Sequence, residues 1–233
     1  MKIVITGGCR GLGLNITKYA LSLGHTVYAL YNKSIDAAYE LESMYDNVRT
    51  IKCDIRDEAE VDKVLFNIGD FDVLINNAGI AKDNRYSDKS KKEFMSVIET
   101  NLVGTFLMIK YGIDKLNKNG IIINISSNNA LYANTSLSID YDASKAGINM
   151  LTKDFALVIN EENKKARIIA ICPGWINTES VKEMNPNYLD EELKKFGQNK
   201  LIEGELLAKY IIDNISGFKN GEIIDIKNME DVK

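Results

Sequence analysis

Short runs of β-branched residues alternate with longer segments of helical periodicity along almost the whole chain. Such runs predict buried strands, and such segments predict helices. The predicted strands are 3–6, 26–30, 48–53, 73–76, 121–126, 167–171 and 223–226, and the predicted helices lie near 12–23, 35–45, 57–68, 91–117, 140–162 and 204–215. Strands separated by helices pair in parallel, with helices on both faces of the sheet. We therefore expect an α/β fold with a doubly wound, Rossmann-type parallel sheet of about seven strands.

The chain offers no obvious boundary at which to divide it. Its 233 residues include two prolines and contain no repeat or low-complexity segment, so we expect a single domain over 1–233. The least regular part, 178–202, is polar and charged but includes Met184, Tyr188 and Phe196. That mixture is typical of a short lid with an apolar underside, lying over a substrate site.

Charge and cysteine usage exclude several classes of protein. The net charge of −4 gives no support for a nucleic-acid-binding surface or for binding to an anionic membrane. Cys9, Cys53 and Cys172 have neither metal-ligand nor disulfide spacing, and His25 is the single histidine, so no metal site is expected. Three separate thiols suit a reducing cytosol. Because no apolar run has the length of a signal-peptide core or a membrane span, we expect a cytoplasmic protein.

A glycine-rich loop with the sequence Thr-Gly-Gly-Cys-Arg-Gly-Leu-Gly, at 6–13, follows the first predicted strand and opens the first helix. Glycines in that position permit a tight turn, a close approach of backbone to a pyrophosphate and close packing of helix on strand. The helix N-terminus adds free N–H groups. The alternative is a purely structural turn, whereas a Walker loop is disfavoured because no Gly-Lys-Ser/Thr follows. The residues interpreted as cofactor-binding are Gly7, Arg10, Gly11, Leu12 and Gly13.

The end of the second predicted strand indicates which dinucleotide is bound. An acidic residue there binds a ribose 2′-hydroxyl, but this segment reads Asn32-Lys33-Ser34, and the next carboxylate is Asp36. Arg10 and Lys33 are placed to bind a 2′-phosphate, with hydrogen bonds added by Asn32 and Ser34. This favours NADP(H) over NAD(H). In the alternative interpretation, Lys33 is a solvated turn lysine and Ser34 caps the next helix.

Tyr141 and Lys145 are four residues apart and share one face of a predicted helix. An ammonium group beside a phenol favours the phenolate. Lowering a phenol pKa from about 10 to about 7 requires roughly 4 kcal/mol, which one charge at about 4 Å supplies at an effective dielectric near 20. Lys145 is therefore expected to make Tyr141 a usable proton donor or acceptor. Because this spacing also occurs by chance on many helices, the interpretation depends on the rest of the chain.

Further short motifs accompany this pair in a fixed order along the chain. They are the glycine loop at 6–13, Asp54, Asn-Asn-Ala-Gly at 76–79, Asn101, Ser127, the pair Tyr141 and Lys145, and Pro-Gly-Trp-Ile-Asn-Thr at 173–178. In this order they resemble the short-chain dehydrogenase/reductase family, in its single-domain branch, over nearly the full length. The nearest likeness is to reductases of the 3-oxoacyl-acyl-carrier-protein type.

The resemblance implies roles for individual residues. Tyr141 would exchange a proton with the substrate oxygen, Ser127 would hydrogen-bond that oxygen, and Lys145 would lower the pKa of Tyr141 and hold the ribose. Asn101 would hold a water in a proton relay. Ser126 is the alternative candidate for the role given to Ser127. The resemblance adds to the cofactor site Asp54, Ile55, Asn77, Ala78, Gly79, Tyr141, Lys145, Pro173, Gly174, Ile176 and Thr178. From the residues alone, Asp54 and the asparagines at 76–77 also fit turn or helix caps.

The activity implied by the resemblance is hydride transfer between NADP(H) and a carbonyl or secondary alcohol, of the 3-oxoacyl or another ketone type. The expected partner is a small carbonyl or alcohol compound, acyl thioesters included. A homodimer or homotetramer is expected, although the tail after Ile226 departs from the family pattern. The alternatives are a dinucleotide-binding sensor without turnover, which need not keep all four catalytic residues, and a sugar-nucleotide epimerase of the extended branch, which is longer and spaces its glycines differently.

Overall fold

A computed structural model of the chain describes residues 1–132, 136–228 and 230. Its strands are Lys2–Thr6 (β1), Thr26–Tyr31 (β2), Val48–Lys52 (β3), Phe71–Asn76 (β4), Leu116–Ile125 (β5), Ala166–Pro173 (β6), Ile176–Asn177 (β7), Ile202–Glu203 (β8) and Ile223–Ile226 (β9). Its α-helices are Gly11–Ser22 (α1), Ile35–Met44 (α2), Glu58–Ile68 (α3), Lys91–Ile98 (α4), Gly104–Gly112 (α5), Ile139–Glu161 (α6), Glu179–Lys182 (α7), Pro186–Phe196 (α8) and Gly204–Asp213 (α9).

Seven strands form one sheet in the order β3-β2-β1-β4-β5-β6-β9, and each neighbouring pair is parallel. Side chains alternate between the faces of a strand, so the buried β-branched runs fill two cores. Ile3 and Ile5 of β1 pack on one face, in the core that α1 and α9 cover. Val4 packs on the other face, in the core that α3 and α5 cover. The predicted doubly wound α/β fold is confirmed.

The prediction of a single helix over 91–117 was wrong in two respects. A π turn at Glu99–Val103 separates α4 from α5, and the helical segment gives way to β5 at Leu116. Within the π turn, the Asn101 carbonyl accepts a hydrogen bond of 2.7 Å from Thr105 Oγ1. Gly104 follows at a close approach, since a Cβ there would lie 2.7 Å from the Ile55 side chain. Gly104 is therefore a point of close packing against a residue distant in the chain, and periodicity does not report such packing.

The segment predicted as a lid over 178–202 contains α7 and α8, and β7 and β8 at its two ends pair in a small parallel sheet. Gln198 is buried and bonds both backbone groups of Trp175, accepting from the N–H and donating to the carbonyl at 2.8 Å each. Mobility of this segment stays a prediction. In the tail after Ile226, positions 229 and 231–233 lie outside the described residues. No helix in the described ranges has the length and apolar character needed to cross a membrane.

Candidate active site

A large crevice opens where the connections from β1 and β4 diverge to opposite faces of the sheet. Ligands bind at this point in open α/β sheets, beyond the carboxyl ends of the strands. Here the two ends are tied together, because Thr6 Oγ1 accepts hydrogen bonds of 3.0 Å from the N–H groups of both Asn77 and Ala78. The crevice holds a cavity of about 830 Å³ that joins a second cavity of about 360 Å³ along Asn77, Gly79 and Thr178.

The glycine loop forms one wall of the large cavity. Gly7 and Gly11 have φ of 65° and 53°, the left-handed region that other residues rarely adopt. A Cβ on Gly13 would lie 2.6 Å from Asn77 Nδ2 and closer still to the Gly7 carbonyl oxygen, so this position packs α1 against the loop. The first turn of α1 carries no acidic residue, and Arg10 at its N-cap makes no side-chain cap. Free N–H groups and a positive helix end thus face the cavity, as binding of a pyrophosphate requires.

The far end of the large cavity is lined by basic and amide side chains. Arg10, Lys33 and Asn32 line it together with Asp54, whose carboxylate is held by the Arg56 guanidinium through bonds of 2.9 and 2.5 Å. These bonds lower the pKa of Asp54 to about 2, a drop that burial opposes, and the Asn32 side chain adds a further hydrogen bond. Asp54 therefore lines the cavity as a carboxylate whose negative charge is already neutralised by the Arg56 guanidinium.

The smaller cavity gathers the predicted catalytic groups. Ser127, Tyr141 and Lys145 line it, from the end of β5 and the first turns of α6. The predicted cofactor residues Leu12, Pro173, Gly174 and Ile176 line the same cavity. Trp175, Val181, Met184 and Tyr188 form an apolar wall, whereas Asp83, Asn129 and Ser138 form a polar one. The smaller cavity therefore has an apolar and a polar side, with a phenol between them.

Tyr141 and Lys145 lie close together, but the expected lowering of the phenol pKa was wrong for this structure. Lys145 Nζ is 5.5 Å from the centroid of the Tyr141 ring and donates a hydrogen bond of 2.7 Å to the Ile125 carbonyl. Burial raises the pKa of Tyr141 to about 12, against a hydrogen bond with Ser127 that lowers it. Burial also lowers the pKa of Lys145 to about 8. Tyr141 is thus a protonated donor at neutral pH, the state needed to protonate a carbonyl oxygen.

The two adjacent serines occupy different environments. Ser126 Oγ donates a hydrogen bond of 3.1 Å to the Lys145 carbonyl and is buried. Ser127 Oγ accepts from the Asn129 N–H at 3.2 Å and hydrogen-bonds the Tyr141 phenol. Ser127 therefore lies next to the Tyr141 phenol, whereas Ser126 connects the end of β5 to α6.

Asn101 lies behind the cavity wall rather than in it. Its Oδ1 accepts from the Ile80 N–H at 2.8 Å, and its Nδ2 donates to the Ile80 carbonyl at 2.9 Å and to Ser144 Oγ at 3.0 Å. A Cβ added to Gly79 would lie 3.3 Å from Asn101 Oδ1 and 3.6 Å from Lys145 Nζ. Asn101 thus holds the loop after β4 against α6, close to the Lys145 ammonium.

Most of the predicted site residues converge on the joined cavities. Those lining the large cavity are Gly7, Arg10, Gly11, Asn32, Lys33, Ser34, Asp54, Ile55, Asn77, Ala78, Gly79 and Thr178. Gly13 and Asn101 line neither cavity. Sequence reasoning missed Arg56 and Asp83, which line the site from loops. Arg56 could have been found from its position two residues after Asp54, which was already assigned to the cofactor site. Asp83 belongs to no recognised motif, so the sequence gives no signal for it. Across the described part of the chain, no cluster of three or more His, Cys, Asp or Glu residues could hold a metal ion.

The residues of the crevice fit a nicotinamide dinucleotide, since a glycine loop, a free helix N-terminus and two joined cavities line up along the strand ends.

The model of the short chain dehydrogenase family matches residues 1–189. An acetoacetyl-CoA reductase from Paracoccus denitrificans is 35% identical over 81% of this chain and 78% of its own length. A 3-oxoacyl-acyl-carrier-protein reductase from Chlamydia pneumoniae is 33% identical over 96% of this chain and 94% of its own.

Among solved structures, a 3-oxoacyl-acyl-carrier-protein reductase from Brucella melitensis superposes with a TM-score of 0.85 at 25% identity. The superposition covers 97% of this chain and 89% of that one. The family match spans most of the chain, and relatives more than 30% identical extend over nearly all of it. The chain therefore belongs to the short-chain dehydrogenase family, whose reductases use a nicotinamide cofactor and act on C=O and CH–OH groups.

Proposed function

We propose that this enzyme uses NADP(H) to reduce a ketone carried on a small acyl compound, such as a 3-oxoacyl thioester. When bound, the nicotinamide supplies the hydride. The observation that carries the proposal is the placement of the Tyr141 phenol, hydrogen-bonded to Ser127, in a cavity continuous with the dinucleotide crevice. The names of the two relatives, an acetoacetyl-CoA reductase and a 3-oxoacyl-acyl-carrier-protein reductase, support the substrate class.

The preference for NADP(H) rests on charge at the far end of the large cavity. Arg10 and Lys33 are exposed and line it, and neither makes an ion pair with any residue that the structure describes. Asp54, the carboxylate at this end, is already bound by Arg56. Two free cations beside a neutralised carboxylate would bind a 2′-phosphate, which a free carboxylate would repel.

The proton would come from Tyr141. Its phenol is protonated at neutral pH, as an ordinary phenol of pKa about 10 is, and burial raises that pKa further, to about 12. Ser127 would hydrogen-bond the carbonyl oxygen and stabilise the negative charge that develops there. Lys145, buried with a pKa lowered to about 8, would exchange protons near neutral pH and so can return a proton towards Tyr141. Asn101 would keep the Ile80 loop and α6 in register around these groups.

The rates of reduction and oxidation depend on pH in opposite ways, because reduction takes up a proton and oxidation releases one. Oxidation of an alcohol needs a base, and a phenol with a pKa of about 12 is rarely ionised at neutral pH. Reduction needs an acid, which this phenol is. We infer that oxidation of an alcohol gains rate as pH rises, because it releases a proton and needs Tyr141 in its ionised form.

The test is oxidation of NADPH and NADH by purified protein, with a 3-oxoacyl thioester, a diketone and a simple ketone as acceptors. We expect turnover of the thioester, with kcat/KM at least about tenfold higher for NADPH, the effect of one charge-assisted contact. Lys33→Ala should raise KM for NADPH far more than KM for NADH. Lys63→Ala, an equal charge change on α3 away from the cavity, is the control. Cofactor binding without reduction of any carbonyl would instead identify a dinucleotide sensor.

A further inference from the structure

Lys89 and Asp140 form a buried ion pair that the proposed mechanism does not use. Their charged atoms are 2.8 Å apart, and the two side chains are 2% and 0% exposed. In every other ion pair between described residues, at least one partner is 25% exposed or more. A buried charge is costly unless it is paired, so this pair is maintained against a large desolvation penalty.

Asp140 directly precedes the proposed proton donor. It lies in the first turn of α6, where a carboxylate is stabilised by the positive helix end. Its Oδ1 accepts a hydrogen bond of 2.9 Å from the backbone N–H of Tyr141, and its Oδ2 accepts from Lys89 Nζ. The position of the Tyr141 backbone is therefore fixed by a carboxylate that Lys89 keeps neutralised.

Lys89 belongs to the loop between β4 and α4, which contributes Asp83 to the polar wall of the smaller cavity. Its Nζ also donates to the Lys82 carbonyl, folding the loop back on itself. The neighbouring Asp83 accepts a hydrogen bond of 2.6 Å from Ser138 Oγ, just before α6. Asp83 and Tyr141 line the same cavity. Lys89 thus connects the loop wall to the helix that carries the phenol.

We propose that Lys89 and Asp140 are positioning residues, a clamp between loop 82–89 and the start of α6 that sets Tyr141 against the substrate oxygen. The inference rests on the proposed function, since it assigns the pair a part in proton donation by Tyr141. An offset of about 1 Å in a reacting group costs up to roughly a hundredfold in rate. Loss of one partner leaves a buried charge that is driven towards water, and this moves the loop, the helix turn or both.

The experiment compares Lys89→Met, Asp140→Asn and the double variant, with activity counted per cofactor-binding site so that unfolded molecules do not contribute. We expect each single change to lower kcat about tenfold or more, with the cofactor Kd within about twofold of wild type. The double variant should regain much of the loss, because no charge stays buried and the amide oxygen introduced by Asp140→Asn still accepts from the Tyr141 N–H. The matched control is Lys209→Met and Asp213→Asn, an exposed pair that should leave kcat unchanged.

Hydrogen exchange of the peptide spanning 138–142 gives a second measurement that does not depend on turnover. Exchange there and in 80–89 should rise together in Lys89→Met and fall again in the double variant. The clamp would be contradicted by single variants with wild-type kcat. It would also be contradicted if the reductions of kcat in the two single variants multiplied in the double variant. Absence of carbonyl reduction by the wild-type protein would instead overturn the proposed function, so the two failures are distinguishable.

Discussion

At the scale of single residues, burial has a larger effect than proximity on the pKa values of Tyr141 and Lys145, the proposed catalytic pair. The four-residue spacing placed Tyr141 and Lys145 on one face of a helix, as the structure shows. The estimate from the sequence assumed a fully charged Lys145 at about 4 Å in a medium of dielectric near 20. Burial instead lowers the pKa of Lys145 and raises that of Tyr141. Periodicity reports the face that two residues share, but not that Lys145 is buried and Tyr141 partly buried.

Replacement of Tyr141 by Phe tests the proton donor with little change in volume. We expect kcat to fall by about a thousandfold, the usual size of a general acid's contribution. The Kd for NADPH, measured by fluorescence titration, should stay within about twofold. Tyr111→Phe is the control, because that hydroxyl donates to Glu58 away from both cavities. Full activity in the Tyr141 variant would remove Tyr141 from the mechanism.

The lowered pKa of Lys145 makes a prediction about stability against pH. Burial penalises the charged form, so the penalty is complete below the folded pKa of about 8 and vanishes above the unfolded value of 10.5. Wild-type protein should therefore gain stability relative to Lys145→Met by about 2 kcal/mol between pH 7 and pH 10. Urea unfolding of both proteins at each pH measures the difference in their free energies of unfolding. The contributions of other titrating groups cancel in this difference. A constant difference, or a falling one, would contradict the buried ammonium.

At the scale of secondary-structure elements, the sheet was predictable and the interruptions were not. Strands such as β1 and β6 are short β-branched runs buried on both faces, a pattern that periodicity detects well. The π turn at Glu99–Val103 was not predicted, and neither was the close approach of Gly104 to Ile55 that follows it. The small pairing of β7 with β8 likewise depends on contacts between distant positions.

The packing of α1 on the glycine loop leads to a test with Gly13→Ala. The added Cβ would contact backbone at Gly7 and the Asn77 amide, neither of which can move without opening the crevice. We expect a loss of roughly 1–3 kcal/mol in the free energy of unfolding, as for overpacked cores, and at least tenfold weaker cofactor binding. Gly217→Ala, whose Cβ would meet one carbonyl oxygen at 3.6 Å, is the matched control. Equal effects of the two changes would contradict the close approach.

At the scale of the whole molecule, the parallel topology explains why so many site residues were predictable. Carboxyl ends of neighbouring strands meet at one edge, so motifs that follow β1, β4 and β5 converge although more than a hundred residues separate them. Arg56 and Asp83 also follow strands that end at this edge, β3 and β4. Strand order predicts which loops lie near the site, but periodicity does not predict which side chains of a loop line the cavity.

The outer surface carries exposed apolar side chains on two neighbouring helices. Phe106 of α5 is 38% exposed, and Met150 and Leu157 of α6 are 56% and 58% exposed. The rings of Phe106 and Phe155 are 6.4 Å apart, which brings α5 beside α6. Apolar surface of this kind is typical of an interface, and a two-fold axis would place each such residue near its copy. The expected dimer or tetramer would then form through α5 and α6.

Leu157→Glu tests this assembly. At a two-fold interface the change would bury two like charges, at a cost of about several kcal/mol, so the assembly should dissociate. We expect light scattering to give a multiple of 26.1 kDa for wild-type protein and a smaller species for the variant. Phe66→Glu, at a residue of α3 that is 72% exposed, adds the same charge elsewhere and should leave the mass unchanged. A wild-type monomer, or an unchanged mass for Leu157→Glu, would exclude an interface at this position, because two like charges brought together away from water repel each other and lose their hydration.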